Sequence, residues 1–285
     1  MLQLMMRCQL KVKRQMKNSK VFHNSKEVFQ DIVDSKDYVQ LDRSMAIYHA
    51  LKEAIKKPLK MILVFGKPGT GKSMMLNKLY KELSPKQKVV YIQIPVIDEI
   101  EFFKVLAYEI FRFNTPDTLN FTQFMELANH YVVEVTPIVI LDEAQLYSES
   151  LMEKIRLISD SRKVKFIFAL HKTEKEDLIA KEHFQTRIWE SQELQNATAA
   201  ELTLYIQKKL LRANFFDLAN MFNDKSVKHI HQFSNGNYRD TNKLLYGLFE
   251  ICSWYEDHNP SKIQFTSIPT KLIEMAAIHT GFIDA

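Results

Sequence analysis

Residues 60–73 read KMILVFGKPGTGKS, and this short stretch holds three of the six glycines in a chain of 285 residues. The segment from Gly66 to Ser73 matches the phosphate-binding loop pattern G-x-x-x-x-G-K-[ST]. Glycines let the backbone turn tightly and bring successive N–H groups close to an anion. The apolar run before the loop predicts a strand buried on both faces, and KSMMLNKLYKEL after it has helical periodicity. The motif therefore stands in the strand–loop–helix context that phosphate binding requires.

The loop predicts ATP and Mg²⁺ as cofactors. We expect the phosphates to lie against the start of the following helix, where backbone N–H groups carry partial positive charge. Lys72 is expected to reach the β- and γ-phosphates, and Ser73 to place its hydroxyl on Mg²⁺. The predicted nucleotide-binding residues are Gly66, Lys67, Pro68, Gly69, Thr70, Gly71, Lys72, Ser73 and Met74.

A second motif, PIVILDEAQ over residues 137–145, places two acids directly after an apolar run. Ligands of open parallel sheets collect at the carboxyl ends of the strands. Asp142 is therefore predicted to hold Mg²⁺ through its water shell, and Glu143 to orient or deprotonate the attacking water. This order of acids favours hydrolysis. The alternative is phosphoryl transfer to an acceptor, but small-molecule kinases with this loop usually lack a water-activating glutamate at that position.

Strand and helix patterns alternate through the first two thirds of the chain. Buried-strand candidates begin at residues 60, 88, 137 and 163, with a weaker one in RIWESQELQ, and amphipathic segments separate them. This alternation predicts an α/β fold, with a mostly parallel sheet between helices in three αβα layers. From about residue 197 the strands stop, and Thr198 with Glu201 gives a capping-box pattern at the start of a helical region.

The domains predicted from these patterns are a basic tail over 1–20, a helical segment leading into the core over 21–58, an ATP-binding core over 59–195 and a helical lid over 196–285. The net charge of +5 is concentrated in the tail, which has six basic residues and no acid. We expect this tail to be a disordered extension; the alternative is that it binds nucleic acid or anionic lipid. No apolar run approaches the length of a membrane span, no secretory signal is visible, and two distant cysteines suit a reducing cytoplasm.

These motifs and the helical C-terminal region resemble the AAA+ ATPases. Within that superfamily the chain resembles the ATPases of the ExeA/GspA and MshM type and, more distantly, the TniB-type transposition ATPases. The resemblance spans residues 25–255 and includes DSKDYVQLDRSMAIYHALKEAI, ILDEAQ, TRIWESQELQNATAAELTLYIQKKLLRA and SNGNYRDTNKLL. It implies a P-loop AAA+ core followed by a lid domain.

The resemblance also implies roles for two arginines. Arg239 matches the lid arginine that touches the γ-phosphate; Gly236 and Asn242 fit the same motif, whereas Tyr238 replaces its proline. Arg187 matches the arginine that enters a neighbouring subunit's site as a finger, so hydrolysis would require a nucleotide-dependent homo-oligomer. The alternative for each arginine is a surface charge near a helix end.

The residue that senses the γ-phosphate is expected in IFALHKT, where the family has Gly-Gln. His171, Lys172 and Thr173 are the candidates, and we favour His171. The resemblance implies an ATPase that assembles or remodels a partner complex in pilus, secretion or DNA-uptake machinery. Such a protein would be cytoplasmic and peripheral at the inner membrane through a partner of a membrane-associated machine. The alternative is an ATP-dependent regulator of transposition or replication initiation whose partner is DNA.

Overall fold

The computed structural model of the protein describes residues 20–112, 118–131, 135–173 and 186–284. The chain divides into two compact units, residues 33–195 and residues 1–32 with 196–285. Residues 21–58, for which the sequence predicts one helical segment, thus contribute to both units. The predicted basic tail lies outside the described residues, apart from Lys20.

Five parallel strands form the sheet of the 33–195 unit. They are β1 Met61–Gly66, β2 Val89–Ile92, β3 Ile138–Leu141, β4 Lys165–Leu170 and β5 Ile188–Leu194. Their order is β2-β3-β4-β1-β5, and all four pairings are parallel. The predicted parallel sheet is confirmed, including the weak strand in RIWESQELQ. The carboxyl ends of all five strands therefore lie at the same end of the sheet, where the loop after β1 and the acids after β3 meet.

The helices occupy both faces of the sheet and all of the second unit. In chain order they are α1 Val21–Ser25, α2 Asp42–Lys56, α3 Lys72–Leu83, α4 Glu99–Phe111, α5 Phe121–His130, α6 Glu149–Asp160, α7 Ala199–Arg212, α8 Phe216–Asn220, α9 Asp224–Ser234, α10 Tyr238–His258 and α11 Thr270–His279. Short 3-10 turns cover Lys26–Phe29, Ser35–Asp37, Ala144–Leu146 and Pro260–Ile263.

The two hydrophobic cores of the 33–195 unit meet at β1, whose six residues are all buried. Alternate side chains of a strand point to opposite faces. Leu63 and Phe65 pack into one core with residues of α4, α5 and α6, while Ile62 and Val64 pack into the other with residues of α2 and α3. Burying each such side chain contributes about 1.5–3 kcal/mol. The predicted three-layer αβα arrangement is thereby confirmed. Because β1 is buried between the two helical layers, the position of the loop that follows it is fixed.

The other unit is helical throughout its described part and is built around α10. The ring of Phe249 lies 5.6–6.1 Å from the rings of Phe22, Phe29 and Phe222, measured between centroids. The predicted capping box is present, because Thr198 Oγ1 accepts from the Glu201 amide at 3.2 Å and Glu201 Oε2 accepts from the Thr198 amide at 2.8 Å. A helical region consistent with a lid therefore follows the sheet along the chain.

Candidate functional site

The predicted phosphate loop connects the end of β1 to the start of α3. Gly69 and Gly71 have φ angles of 77° and 91°, in the left-handed region that favours glycine. Gly71 is also the N-cap of α3, so the first backbone N–H groups of that helix face the loop. At Gly66 a Cβ atom would lie 2.2 Å from the carbonyl oxygen of Leu194, so only glycine fits. Each of the three glycines thus meets a requirement of the backbone, and the turn that they form has the geometry expected of a phosphate-binding loop.

Lys72 is buried inside this loop. Its side-chain Nζ donates to the carbonyl oxygens of Gly66 at 3.0 Å and Lys67 at 3.1 Å, and the residue is 5% exposed. Thr70 Oγ1 donates to the same Lys67 carbonyl at 2.8 Å. A buried ammonium group is costly unless it meets partners. The loop therefore holds its lysine charge where an anionic group at the helix start would meet it.

Asp142, directly after β3, lies beside Ser73, the first-turn residue of α3. The Asp142 carboxylate accepts hydrogen bonds from the Tyr91 hydroxyl at 3.0 Å and from the Glu143 amide at 3.0 Å, and the Ser73 side chain lies close enough to favour its charged form. Burial raises the pKa of Asp142, although these uncharged neighbours act to lower it. A buried carboxylate beside a serine hydroxyl suits Mg²⁺, which prefers oxygen ligands. The two predicted metal ligands are therefore brought together.

Glu143 adopts a left-handed backbone conformation, with φ 48° and ψ 41°. Such conformations are uncommon outside glycine and cluster at functional sites. Its Oε2 atom accepts a hydrogen bond from Gln145 Nε2 and lies 3.0 Å from Nε2 of His171, which follows β4. Of the other two candidates for the γ-phosphate sensor, Lys172 pairs with Glu193 at 2.8 Å. The structure thus places His171, rather than its neighbour, against the predicted base.

Two residues at this end of the sheet contact the predicted site but were not predicted from the sequence. Tyr91 contacts Asp142, and Gln145 contacts Glu143. The sequence gives one indication for Tyr91, because it is the one polar side chain in the strand VVYI. Gln145 was visible within the acidic motif, but its contact depends on the turn over 144–146. Neither contact follows from residue spacing alone.

Arg187 lies at the amino-terminal end of the strands, whereas the phosphate loop lies at their carboxyl-terminal end. In the β1–β5 pairing Ile188 lies beside Met61, whereas Leu194 lies beside Gly66. Arg187 Nε donates to both carboxylate oxygens of Asp160, at 2.8 and 2.9 Å. The structure does not bring this arginine to the phosphate loop of its own chain.

In the helical unit, Arg239 is the second residue of α10. Its amide donates to the side chain of the N-cap residue Asn237 at 3.1 Å, and its Nε donates to Asp31 Oδ2 at 2.9 Å. Both side chains of this ion pair are more than half exposed. The arginine is thus presented at a helix start, with a carboxylate of the same unit as its partner.

The neighbours of Arg239 in the resembling motif have structural contacts. Asn242 is buried and accepts a hydrogen bond from the Tyr205 hydroxyl at 2.9 Å. Tyr238, which replaces the family's proline, packs its ring 4.8 Å from that of Tyr205. At Gly236 the φ angle is 71°, and a Cβ atom would lie 1.9 Å from the Ala197 carbonyl oxygen. These residues fix the turn into α10.

In the described residues, none of the helices combines the length and the apolar character needed to cross a membrane.

This architecture is similar to that of known proteins. A family model described as an AAA domain matches residues 55–179, and no curated protein matches the chain. Among solved structures, Cdc6p of Pyrobaculum aerophilum is similar over 89% of this chain and 70% of its own, with 14% identity and a TM-score of 0.63. A Walker-type ATPase of Pyrococcus abyssi is similar over 89% of this chain and 76% of its own, with 13% identity and a TM-score of 0.60. The ORC1 protein of Aeropyrum pernix, solved in complex with DNA, is similar over 89% of this chain and 69% of its own, with 13% identity and a TM-score of 0.61.

At these low identities the likeness to solved structures concerns the fold. The parallel sheet, the helices on both of its faces, the phosphate loop after β1 and the helical C-terminal region all agree with it. Residues 55–179 match the model of an AAA domain, and the chain has the P-loop AAA+ fold.

Proposed function

We propose that the protein binds ATP with Mg²⁺ and hydrolyses it to ADP and phosphate. The observation that carries the proposal is the meeting of Lys72, Ser73, Asp142 and Glu143 at one edge of the sheet. A phosphate loop alone supports nucleotide binding. A carboxylate next to the predicted metal ligand adds a group that accepts a proton from water, which an ATPase requires and a passive nucleotide-binding protein does not.

In the proposed reaction the backbone N–H groups of the loop and the Lys72 ammonium bind and orient the phosphates. When bound, Mg²⁺ supplies positive charge that offsets the charge developing on the phosphate oxygens. Ser73 and Asp142 would hold that ion. Glu143 takes the proton of the attacking water at a carboxylate oxygen. His171 and Gln145 orient that carboxylate through its Oε2 atom.

We further propose that Arg187 acts as a finger in the site of a neighbouring copy. Its position at the amino end of β5, away from the loop of its own chain, supports action in trans. An arginine suits the role because it stays charged and can grip phosphate oxygens with two nitrogens. For Arg239 the proposed contact with the γ-phosphate rests on the sequence resemblance alone.

Two variants test the ATPase proposal. Glu143→Gln should bind a fluorescent ATP analogue with unchanged affinity but lose about 10²–10⁴-fold in phosphate release. Lys72→Ala should lose nucleotide affinity itself. Phosphate release by the wild type with no added acceptor would exclude a phosphotransferase. Full turnover by Glu143→Gln would instead show that Glu143 is not the base.

We propose that hydrolysis drives the assembly or remodelling of a partner complex by a nucleotide-dependent oligomer. The resemblance to ExeA/GspA, MshM and TniB-type ATPases supports pilus, secretion or DNA-uptake machinery as that complex. A second candidate is a nucleotide-dependent role on DNA. It is favoured by the similarity in fold to Cdc6p and to ORC1 solved with DNA.

Binding to duplex DNA separates the two candidates. A salt-dependent mobility shift that requires ATP would support the role on DNA. If that shift vanishes when residues 1–20 are deleted, the basic tail supplies the phosphate contacts. Absence of any shift at low salt, together with capture of a membrane protein, would support the assembly machine.

A further inference from the structure

Tyr91 stands out in β2 because its neighbours in the strand, Val89, Val90 and Ile92, carry only apolar side chains. Its ring packs among the side chains of one core, 5.8 Å from the ring of Tyr80 on α3. Phenylalanine would fill the same space. A polar hydroxyl inside a packed region costs roughly 1–3 kcal/mol unless it finds a partner. The hydroxyl of Tyr91 must therefore be explained by what it contacts.

The strand register explains which group it contacts. Tyr91 lies beside Ile140 in the parallel β2–β3 pairing, and Asp142 follows two residues later. The pairing continues past the strand, because the Asp142 amide donates to the Ile92 carbonyl at 3.1 Å. Ile140 and Asp142 therefore point to the same side of the sheet as Tyr91. Two residues along a strand span about 6.6 Å, which a tyrosine side chain can bridge.

The Tyr91 hydroxyl lies near both residues predicted to hold the metal. It donates to Asp142 Oδ2 at 3.0 Å and lies 3.5 Å from the backbone carbonyl oxygen of Ser73. The other carboxylate oxygen, Oδ1, accepts from the Glu143 amide at 3.0 Å. Each oxygen of Asp142 thus has its own donor, and the plane of the carboxylate is fixed.

We propose that Tyr91 is a positioning residue for the divalent cation of the nucleotide complex, acting through the orientation of the Asp142 carboxylate rather than by touching the nucleotide. The proposal rests on the proposed binding of ATP with Mg²⁺. Groups that hydrogen-bond a metal ligand orient it, and their loss typically costs 10–100-fold in metal affinity.

The chemistry of the phenol suits this role, because a tyrosine hydroxyl can donate to a carboxylate without bringing a charge of its own. Ser73 lies beside the same carboxylate on the α3 side, so Asp142 lies between β2 and α3.

Tyr91→Phe tests the proposal, with Tyr80→Phe as the matched control. Tyr80 lies against Tyr91 in the same core, so both variants remove one hydroxyl and keep one ring. Affinity for a fluorescent ATP analogue is measured first in EDTA and then across a titration with Mg²⁺. We expect unchanged affinity in EDTA for both variants. The Mg²⁺ concentration at half-maximal effect should rise about 10–100-fold for Tyr91→Phe and stay at the wild-type value for Tyr80→Phe.

Two outcomes would overturn the role of Tyr91. One is a Mg²⁺ midpoint unchanged by Tyr91→Phe, and the other is an equal loss of affinity in EDTA and in Mg²⁺, which indicates a packing defect. A double variant gives an independent check. In the background of Asp142→Ala, adding Tyr91→Phe should have no further effect on the Mg²⁺ midpoint, because the side chain through which the hydroxyl acts is then absent. Failure of the wild-type protein to bind the analogue at all would instead refute the proposed function.

Discussion

Nε2 of His171 lies 3.0 Å from Oε2 of Glu143, joining residues that follow two adjacent strands of the sheet. The same Oε2 atom accepts a hydrogen bond from Gln145. The carboxylate proposed as the base is thus held at one oxygen by groups from two separate segments. A base held in this way keeps its other oxygen in a defined direction, which is what orientation of an attacking water requires.

His171→Ala should lower the turnover of ATP about 10-fold while leaving nucleotide affinity unchanged, because the loss of one hydrogen bond to a charged group costs about 1.4 kcal/mol or more. Steady-state phosphate release and analogue binding measure the two quantities. Lys172→Ala is the matched comparison, since its side chain pairs with Glu193 instead. A loss of turnover in Lys172→Ala alone would move the sensor role to that lysine.

The sequence was sufficient for those parts of the site that follow one another along the chain. The phosphate loop, its strand and the two acids after β3 were all predicted, because each combines a local pattern with a required flank. The contacts of Tyr91 and Gln145 could not be predicted. The Tyr91 contact requires the register of β2 on β3, and the Gln145 contact requires the left-handed conformation of Glu143.

The contacts among the charged residues at the amino-terminal end of the strands also could not be predicted in full. Asp160 accepts from Arg187 Nε and also from Lys60 Nζ at 2.7 Å and Arg156 Nη1 at 2.8 Å. Only the pair between Arg156 and Asp160 has helical spacing visible in the sequence. The other two partners depend on which strands become neighbours, because β1 lies between β4 and β5. Residue identity alone cannot give that order.

Arg187→Ala should lower turnover about 10³-fold if the arginine acts as a finger in trans. Mixing this variant with Lys72→Ala subunits should restore part of the activity. In the mixture, an intact phosphate loop of one subunit can meet the intact arginine of its neighbour. Phosphate release across a series of mixing ratios measures the recovery. Activity that never exceeds the sum of the separate variants would show that Arg187 does not act in trans.

Asp160→Asn should destabilise the protein near pH 7, and the difference from wild type should shrink as the pH falls. Burial acts to raise the pKa of Asp160, but the hydrogen bonds and charges of Lys60 and Arg187 outweigh it and hold the pKa below its usual value. A carboxylate with a lowered pKa contributes stability above its unfolded-state pKa, about 3.9, and that contribution is lost as the pH falls through the folded-state value.

We expect a difference on the order of 1 kcal/mol at pH 7 for this variant, because the network is partly exposed to solvent. Urea denaturation at pH 7 and at a series of pH values below the unfolded-state pKa of about 3.9 measures it. Glu153→Gln is the matched control on the same helix, since Glu153 is the more exposed partner of Arg156. Its effect should be smaller at pH 7 and should change less as the pH falls. An Asp160→Asn difference that is constant with pH would mean that the charge of the carboxylate is not what stabilises the fold.

Gly236→Ala should destabilise the helical unit far more than Gly281→Ala. Both glycines have left-handed φ angles, 71° and 76°, so both variants carry the same backbone strain of roughly 1–2 kcal/mol. At Gly281 nothing lies within 4 Å of an added Cβ atom, whereas at Gly236 that atom would lie 1.9 Å from the Ala197 carbonyl oxygen. The amide of Ala197 also donates to the Gly236 carbonyl at 2.9 Å, so the two backbones cannot separate without losing that bond. Chemical denaturation followed by far-UV circular dichroism should show a loss for Gly236→Ala that exceeds that for Gly281→Ala by at least about 1 kcal/mol. Equal losses would indicate that strain alone, and not the close approach of Ala197, requires glycine at position 236.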